Sequence, residues 1–234
     1  ADCYIAMEKY TDALKDLDKA IELAPEDPFY YNNRADFYDD QENYDEALKD
    51  YAKAIKISTD DYGTSRALNN RANIYDFQEK YDLAIEEYTK GLLIENHPLI
   101  FGNRADVYLE LEDYEKALAD YTSAIDLDKE NPERYDDRAD CYIAMEKYTD
   151  ALKDLDKAID LAPEDPDYCN ARGLFYLNQE KYDLALADFS SALKIDPTYA
   201  WAINNRAIVY GRQGKYELQI EEYTKAIELS VDDP

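Results

Sequence analysis

The 234 residues carry 54 acidic side chains against 26 basic ones, a formal net charge of −28, so nucleic acid and anionic lipid are repelled by the molecule as a whole. With 46% apolar and 34% charged residues, and only 6 Gly and 8 Pro, the composition is that of a folded helical chain with short connections. The longest apolar runs, Gly91 to Ile94 and Pro98 to Gly102, fall far short of the ~18 residues that cross a bilayer, which excludes a membrane-spanning role.

In chain order, Tyr10, Tyr44, Tyr81, Tyr114, Tyr148, Tyr182 and Tyr216 recur with gaps of 34, 37, 33, 34, 34 and 34 residues, a period that marks a repeat array. Residues 1–27 read as a partial repeat: on this register Ala1-Asp2-Cys3-Tyr4 falls inside a helix, so the natural N-terminus is expected further upstream. Complete repeats are expected at 28–64, 65–97, 98–131, 132–165, 166–199 and 200–234, and places below are counted from each start. Small residues fill the eighth place (Ala35, Ala72, Ala105, Ala139, Gly173, Ala207) and the twenty-seventh (Ala54, Gly91, Ala124, Ala158, Ala192, Ala226), where two helices can approach closely. Tyrosines recur at the eleventh place, from Tyr38 to Tyr210, and a large apolar or aromatic residue stands at the twenty-fourth (Tyr51, Tyr88, Tyr121, Leu155, Phe189, Tyr223). Apolar spacing of three and four residues, punctuated by prolines such as Pro132, Pro166 and Pro197, predicts two helices per repeat. Residues 1–28 match 139–166 at 27 of 28 places, the mark of a duplicated four-repeat cassette and of an excerpt from a longer array.

This joint recurrence of small and aromatic places resembles the tetratricopeptide repeat family over the whole chain. The resemblance implies an all-α fold, an α-solenoid whose tandem helix-turn-helix repeats stack into a right-handed superhelix with the first helices lining a concave side. The sequence departs from the family pattern at the usual Leu-Gly pair of the first helix, here Arg-Ala or Arg-Gly. It departs again at Gln219, which stands where the repeat before has Ala185 and is expected to loosen the last repeat. The 37-residue step through Ser58 to Thr64 and the 33-residue step near His97 are expected to perturb the spiral locally.

Arg34, Arg71, Arg104, Arg138, Arg172 and Arg206 hold the seventh place of every complete repeat, which raises a phosphate- or carboxylate-binding reading. The twenty-third place is acidic throughout (Asp16, Asp50, Glu87, Asp120, Asp154, Asp188, Glu222), and the favoured reading is a structural ion-pair ladder between the two helices of each hairpin.

Asparagine clusters at the fifth and sixth places, as Asn32, Asn33, Asn69, Asn70, Asn103, Asn170, Asn204 and Asn205, although Asn is disfavoured in helices by roughly half a kcal/mol relative to Ala. Some superhelical members of the family hold an extended peptide by such a ladder, so the resemblance implies peptide capture along these amides; the alternative is bonding to neighbouring helices or water. Asp137 and Ala171 interrupt the sixth-place row. Acids crowd the other concave places (Asp2, Asp36, Asp39, Asp40, Asp76, Asp106, Glu110, Glu133, Asp136, Asp137, Asp140, Asp167) against Arg66 and Arg212, which favours a basic or amide-rich guest. Toward the C-terminal end the same places turn apolar at Leu174, Leu177, Trp201 and Ile208, as an anchor pocket or as contact for a further repeat. The bases with which chaperone-binding relatives clamp a C-terminal carboxylate are missing.

No site of chemistry is expected. The single histidine, His97, sits at a repeat boundary, no glycine-rich phosphate loop or zinc spacing occurs, and neither catalysis, metal nor cofactor is predicted. Cys3, Cys141 and Cys169 form no CxxC pair and read as core residues of a reducing compartment, giving a cytoplasmic expectation. The function expected is a scaffold for a protein or peptide, with a basic segment as partner. The alternative is a structural module that self-associates end to end or docks other domains of a larger parent protein.

Overall fold

The computed structural model describes residues 10–231, which form thirteen α-helices and no strand. Asp2, Cys3 and the opening of the partial repeat lie outside the described residues. The chain divides after Leu127 into two compact units. The N-terminal unit holds α1 (Tyr10–Leu23), α2 (Pro28–Asp40), α3 (Tyr44–Ile57), α4 (Asp61–Phe77), α5 (Tyr81–Ile94), α6 (Pro98–Glu110) and α7 (Tyr114–Leu127). The C-terminal unit holds α8 (Pro132–Ala144), α9 (Tyr148–Leu161), α10 (Pro166–Asn178), α11 (Tyr182–Ile195), α12 (Ala200–Arg212) and α13 (Tyr216–Val231).

Local chemistry sets the helix starts. Pro28, Pro98, Pro132 and Pro166 open first helices, and the side chains of Asp27, His97, Asn131 and Asp165 just before them accept from the second helical N–H. The long 37-residue step is absorbed as an extra turn at the head of α4, which begins at Asp61 under an Asp60 cap rather than at Ser65. In the short step, His97 Nδ1 takes the cap role, accepting from Leu99 N at 3.3 Å. Between first and second helices, Glu42, Glu79, Glu112, Glu146 and Glu180 adopt φ of 56–58°, with Gly214 at 72° in the same turn of the last hairpin.

Within each unit the hairpins pack in succession, and first helices also touch the next first helix: α2 with α4, α4 with α6, and α10 with α12. Ala35, Ala72, Ala105, Ala139 and Ala207 are fully buried, and the large twenty-fourth-place residues Tyr51, Tyr88, Tyr121, Leu155 and Phe189 are at most 1% exposed beside them. Gly173 completes the pattern by default of space: a Cβ there would lie 2.5 Å from the Phe189 ring. At the last hairpin, a Cβ on Gly211 would sit 2.4 Å from Gln219 Nε2, so this glycine admits the larger side chain. Tyr223 of this hairpin is 38% exposed. Cys141 and Cys169 are buried and form no disulfide among the described residues. Leu177, expected on the open face, is instead core: the end of α10 leans on α11 and α12, and Leu177 shares a cluster with Phe189, Ala202 and Ile203.

Candidate peptide-binding face

The seventh-place arginines are engaged inside the hairpins. Arg34, Arg104, Arg138 and Arg172 each fork two N–H groups onto Asp50, Asp120, Asp154 and Asp188 at 2.6–2.9 Å. Arg71 pairs with Glu87 and Arg206 with Glu222 in the same way of crossing the hairpin. Arg34 and Arg172 also donate at 2.6 Å to Asp18 and Asp156 of the preceding hairpin, and Arg104 donates to Thr89 Oγ1 at 2.8 Å. The arginine side chains are 15–25% exposed and their acids 7–13%, so the guanidinium groups are spent on the scaffold rather than offered to an anion. For Arg34 and Arg172 the hydrogen bonds they donate to Asp50 and Asp188 dominate and raise the pKa. For Arg104 and Arg138 burial opposes the charge, yet Asp120 and Asp154 win and the net direction is again upward. The eleventh-place tyrosines flank these groups: Tyr38, Tyr108 and Tyr142 lie 5.8–5.9 Å below the guanidinium carbons of Arg34, Arg104 and Arg138.

The first-helix face is more tied down than its sequence suggests. In the N-terminal unit, Tyr51 donates to Asp36 Oδ1 at 2.6 Å, Tyr88 to Asn73 Oδ1 at 2.6 Å and Tyr121 to Asp106 Oδ1 at 2.7 Å. A signal for this was present in the N-terminal unit, where tyrosine holds the twenty-fourth place of all three repeats whose ninth place offers an acceptor; in the C-terminal unit the pairing lapses, with Leu155 against Asp140, Phe189 against Leu174 and Tyr223 against Ile208. Leu155 brings no hydroxyl to Asp140, whose carboxyl is raised by burial.

The asparagines divide into two groups. Asn32, Asn69, Asn170 and Asn205 are buried, and Asn33, Asn70, Asn103 and Asn204 are partly exposed. Asn103 Nδ2 donates to Asn69 Oδ1 at 3.1 Å and Asn73 Oδ1 at 3.2 Å; Asn69 Nδ2 donates to Asn70 Oδ1 at 3.1 Å; Asn70 Nδ2 donates to Asp36 Oδ1 at 3.0 Å. Arg66 donates to the other oxygen of Asp36. In the C-terminal unit Asn205 Nδ2 donates to Asn170 Oδ1 at 2.8 Å. These amides therefore stitch successive first helices together, and what they offer a guest is the remaining valence of the partly exposed ones. Trp201 is 69% exposed, while Leu174 and Ile208 stand at the edge of exposure.

Carboxylates on this face press on each other within and across repeats. Burial, then Asp40 and Asp36, raise the pKa of Asp39; burial, then Asp106 and Glu110 of α6, raise that of Asp76 on α4. Asp136 is pushed up to about 7 by burial and by Asp140, Asp167 and Glu133, and its Oδ1 has no donor among the described residues. Among the described residues no group of three His, Cys, Asp or Glu is placed to hold a metal, and no helix is long and apolar enough to cross a membrane.

Sequence profiles described as tetratricopeptide repeat match residues 1–27, 28–94, 98–131, 137–200 and 189–221. No curated protein sequence matches the chain. Among solved structures, a tetratricopeptide repeat protein from Parabacteroides merdae is similar at TM-score 0.72 and 22% identity, covering 86% of this chain and 79% of that one. YrrB, described as a TPR protein with an unusual peptide-binding site, is similar at TM-score 0.61 and 24% identity over 80% of this chain and 95% of its own. The Cut9-Hcn1 hetero-tetramer of the APC/C is similar at TM-score 0.68 and 18% identity over 88% of this chain, which spans 40% of that one. With repeat profiles running along nearly its whole length and stacked helical hairpins bearing them, the chain belongs to the tetratricopeptide repeat family.

Proposed function

We propose that the first helices form a docking face for a basic or amide-rich segment of another protein. Proteins of this family generally serve as scaffolds for protein interaction, and this chain's own residues supply the preference. The observation that carries the reading is the crowding of acids from adjacent first helices, Asp76 with Asp106 and Glu110 above all, which an arriving cation relieves. To the guest's backbone we assign Asn33, Asn70 and Asn103, with Asp36 and Asp106, in the N-terminal unit, and Asn204, with Asp140 and the apolar Leu174, Trp201 and Ile208, in the C-terminal unit. Charge reversal is the cleaner test, since Asn70 and Asn103 also join helices. With a short labelled peptide of alternating lysine and asparagine, combining Asp40→Lys, Glu110→Lys and Glu133→Lys is expected to weaken binding about tenfold or more at low salt, with helicity unchanged because all three are exposed. Equal affinity for both forms would remove the acids from the account.

A second reading, end-to-end self-association, is favoured by α13. Tyr216, Ile220 and Tyr223 there are 62%, 66% and 38% exposed, while Tyr51 and Tyr88 at the place of Tyr223 are buried within the N-terminal unit. On this reading the sedimentation coefficient rises with concentration, and Ile220→Glu suppresses the rise; a single unchanging species sinks it.

A further inference from the structure

Asn32 differs from the other buried fifth-place asparagines. Asn69 Oδ1 accepts from Asn103, and Asn170 Oδ1 accepts from Asn205, so each is satisfied by the sixth-place amide of the following repeat. The amide that follows Asn32 is Asn70, and it is turned to Asp36 instead. Asn32 is 4% exposed, its Nδ2 is oriented toward Gly63 O at 3.4 Å, and its Oδ1 has no donor among the described residues. A buried acceptor without a donor is unfavourable, and asks for a donor from outside.

Asn32 lines a cavity of about 360 Å³ between the heads of α2 and α4, and the extra turn of α4 supplies much of its wall. Asp27 and Asp60 stand on either side. Each spends one carboxylate oxygen as a helix cap, on Phe29 N at 3.0 Å and Gly63 N at 2.5 Å, which leaves the charge and the second oxygen at the rim. A Cβ on Gly63 would come within 2.7 Å of Asp60 Oδ2, so the glycine preserves that cap. Phe29 and Tyr62 add rings that are 56% and 63% exposed. Arg66, the one cation lining the cavity, is held by Asp36. Two acids without a cation of their own, two open rings and an amide oxygen lacking a donor select a positively charged donor over a neutral one.

We propose that this cavity receives a lysine or arginine side chain of the docked segment, its N–H groups reaching Asn32 Oδ1 and the carboxylates of Asp27 and Asp60 while its stem lies along Phe29 and Tyr62. The inference rests on the docking face described above and assigns one pocket of it. The probe is N-acetyl-lysine methylamide, titrated into the full ¹⁵N-labelled chain, with the norleucine analogue as control. The lysine compound shifts the backbone amides of Phe29 and Gly63 and the side-chain amide of Asn32 in a saturable way; the norleucine compound does not. Asp27→Asn with Asp60→Asn keeps capping side chains and removes both charges, and it abolishes these shifts with the remaining spectrum in place. In the same variant the lysine–asparagine peptide binds about tenfold more weakly. Shifts that are absent, equal for norleucine, or intact in the double variant overturn the pocket. If they fail while the peptide still binds and still responds to Glu133→Lys, the pocket alone falls; if no basic peptide binds at all, the docking face falls with it.

Discussion

Asp120→Ala is expected to destabilise the N-terminal unit by roughly 3–5 kcal/mol, because it strands the guanidinium of Arg104 in a site only 16% exposed. Both carboxylate bonds, at 2.7 and 2.9 Å, disappear together, and Thr89 remains as a neutral partner that cannot balance the charge. Removing the pair as a unit, Arg104→Met with Asp120→Leu, is expected to recover most of the loss, since no buried charge is then left over. The contrast is Lys116 and Asp113, whose side chains are 60% and 35% exposed, where Lys116→Ala should cost about 0–1 kcal/mol. Urea denaturation of the variants reads all three values. A small effect for Asp120→Ala, comparable to that of Lys116→Ala, would show that the ladder is effectively solvated.

The second large effect is a pH dependence in the C-terminal unit. Asp136 is raised to about 7 in the folded chain, first by burial and then by Asp140, Asp167 and Glu133, while Arg134 on the same helix is committed to Asp137 at 2.9 Å. A carboxyl with a raised folded pKa contributes stability that is whole below the unfolded value and is lost as pH climbs through the folded one. Stability should therefore fall between about pH 4 and about pH 7, by up to about 1.4 kcal/mol per pH unit at the steepest point. General repulsion in a chain of net charge −28 pushes the same way, so the diagnostic quantity is the difference from Asp136→Asn, which has no proton to lose. Urea midpoints that run parallel for the two proteins across this window would refute the assignment.

The helical hairpins were legible because their cause is periodic. Small residues at the eighth and twenty-seventh places and rings at the twenty-fourth state which helix faces must meet, and no tertiary detail is needed to read them. The arginine ladder was legible for a related reason: its seventh-place and twenty-third-place members have complementary charge and opposite helices to stand on. The binding face was harder to read because helical spacing gives direction but not depth. Asp36 and Asp106 point toward the open face and still come within reach of tyrosine hydroxyls rising from the second helix. Asn32 and Asn170 sit one place from partly exposed neighbours, yet the close approach of successive first helices buries them. Leu177 shows the same loss of depth, sharing its place with the half-buried Asp39 and Asp76. The pocket at Asn32 depends on which way Asn70 turns, a choice between two acceptors that the order of residues leaves open.

The amide row from Asn103 through Asn69 and Asn70 to Asp36 has a polarity. Donation runs one way along it, from Asn103 to Asn69, from Asn69 to Asn70 and from Asn70 to Asp36, because the run ends on a carboxylate that can only accept. No amide in it can rotate alone without setting two like atoms against each other, so three helices share a single orientational state. A ligand that bonded Asn103 would thus meet a group whose direction is dictated from the far end by Asp36, and the row would answer as one body rather than as separate contacts.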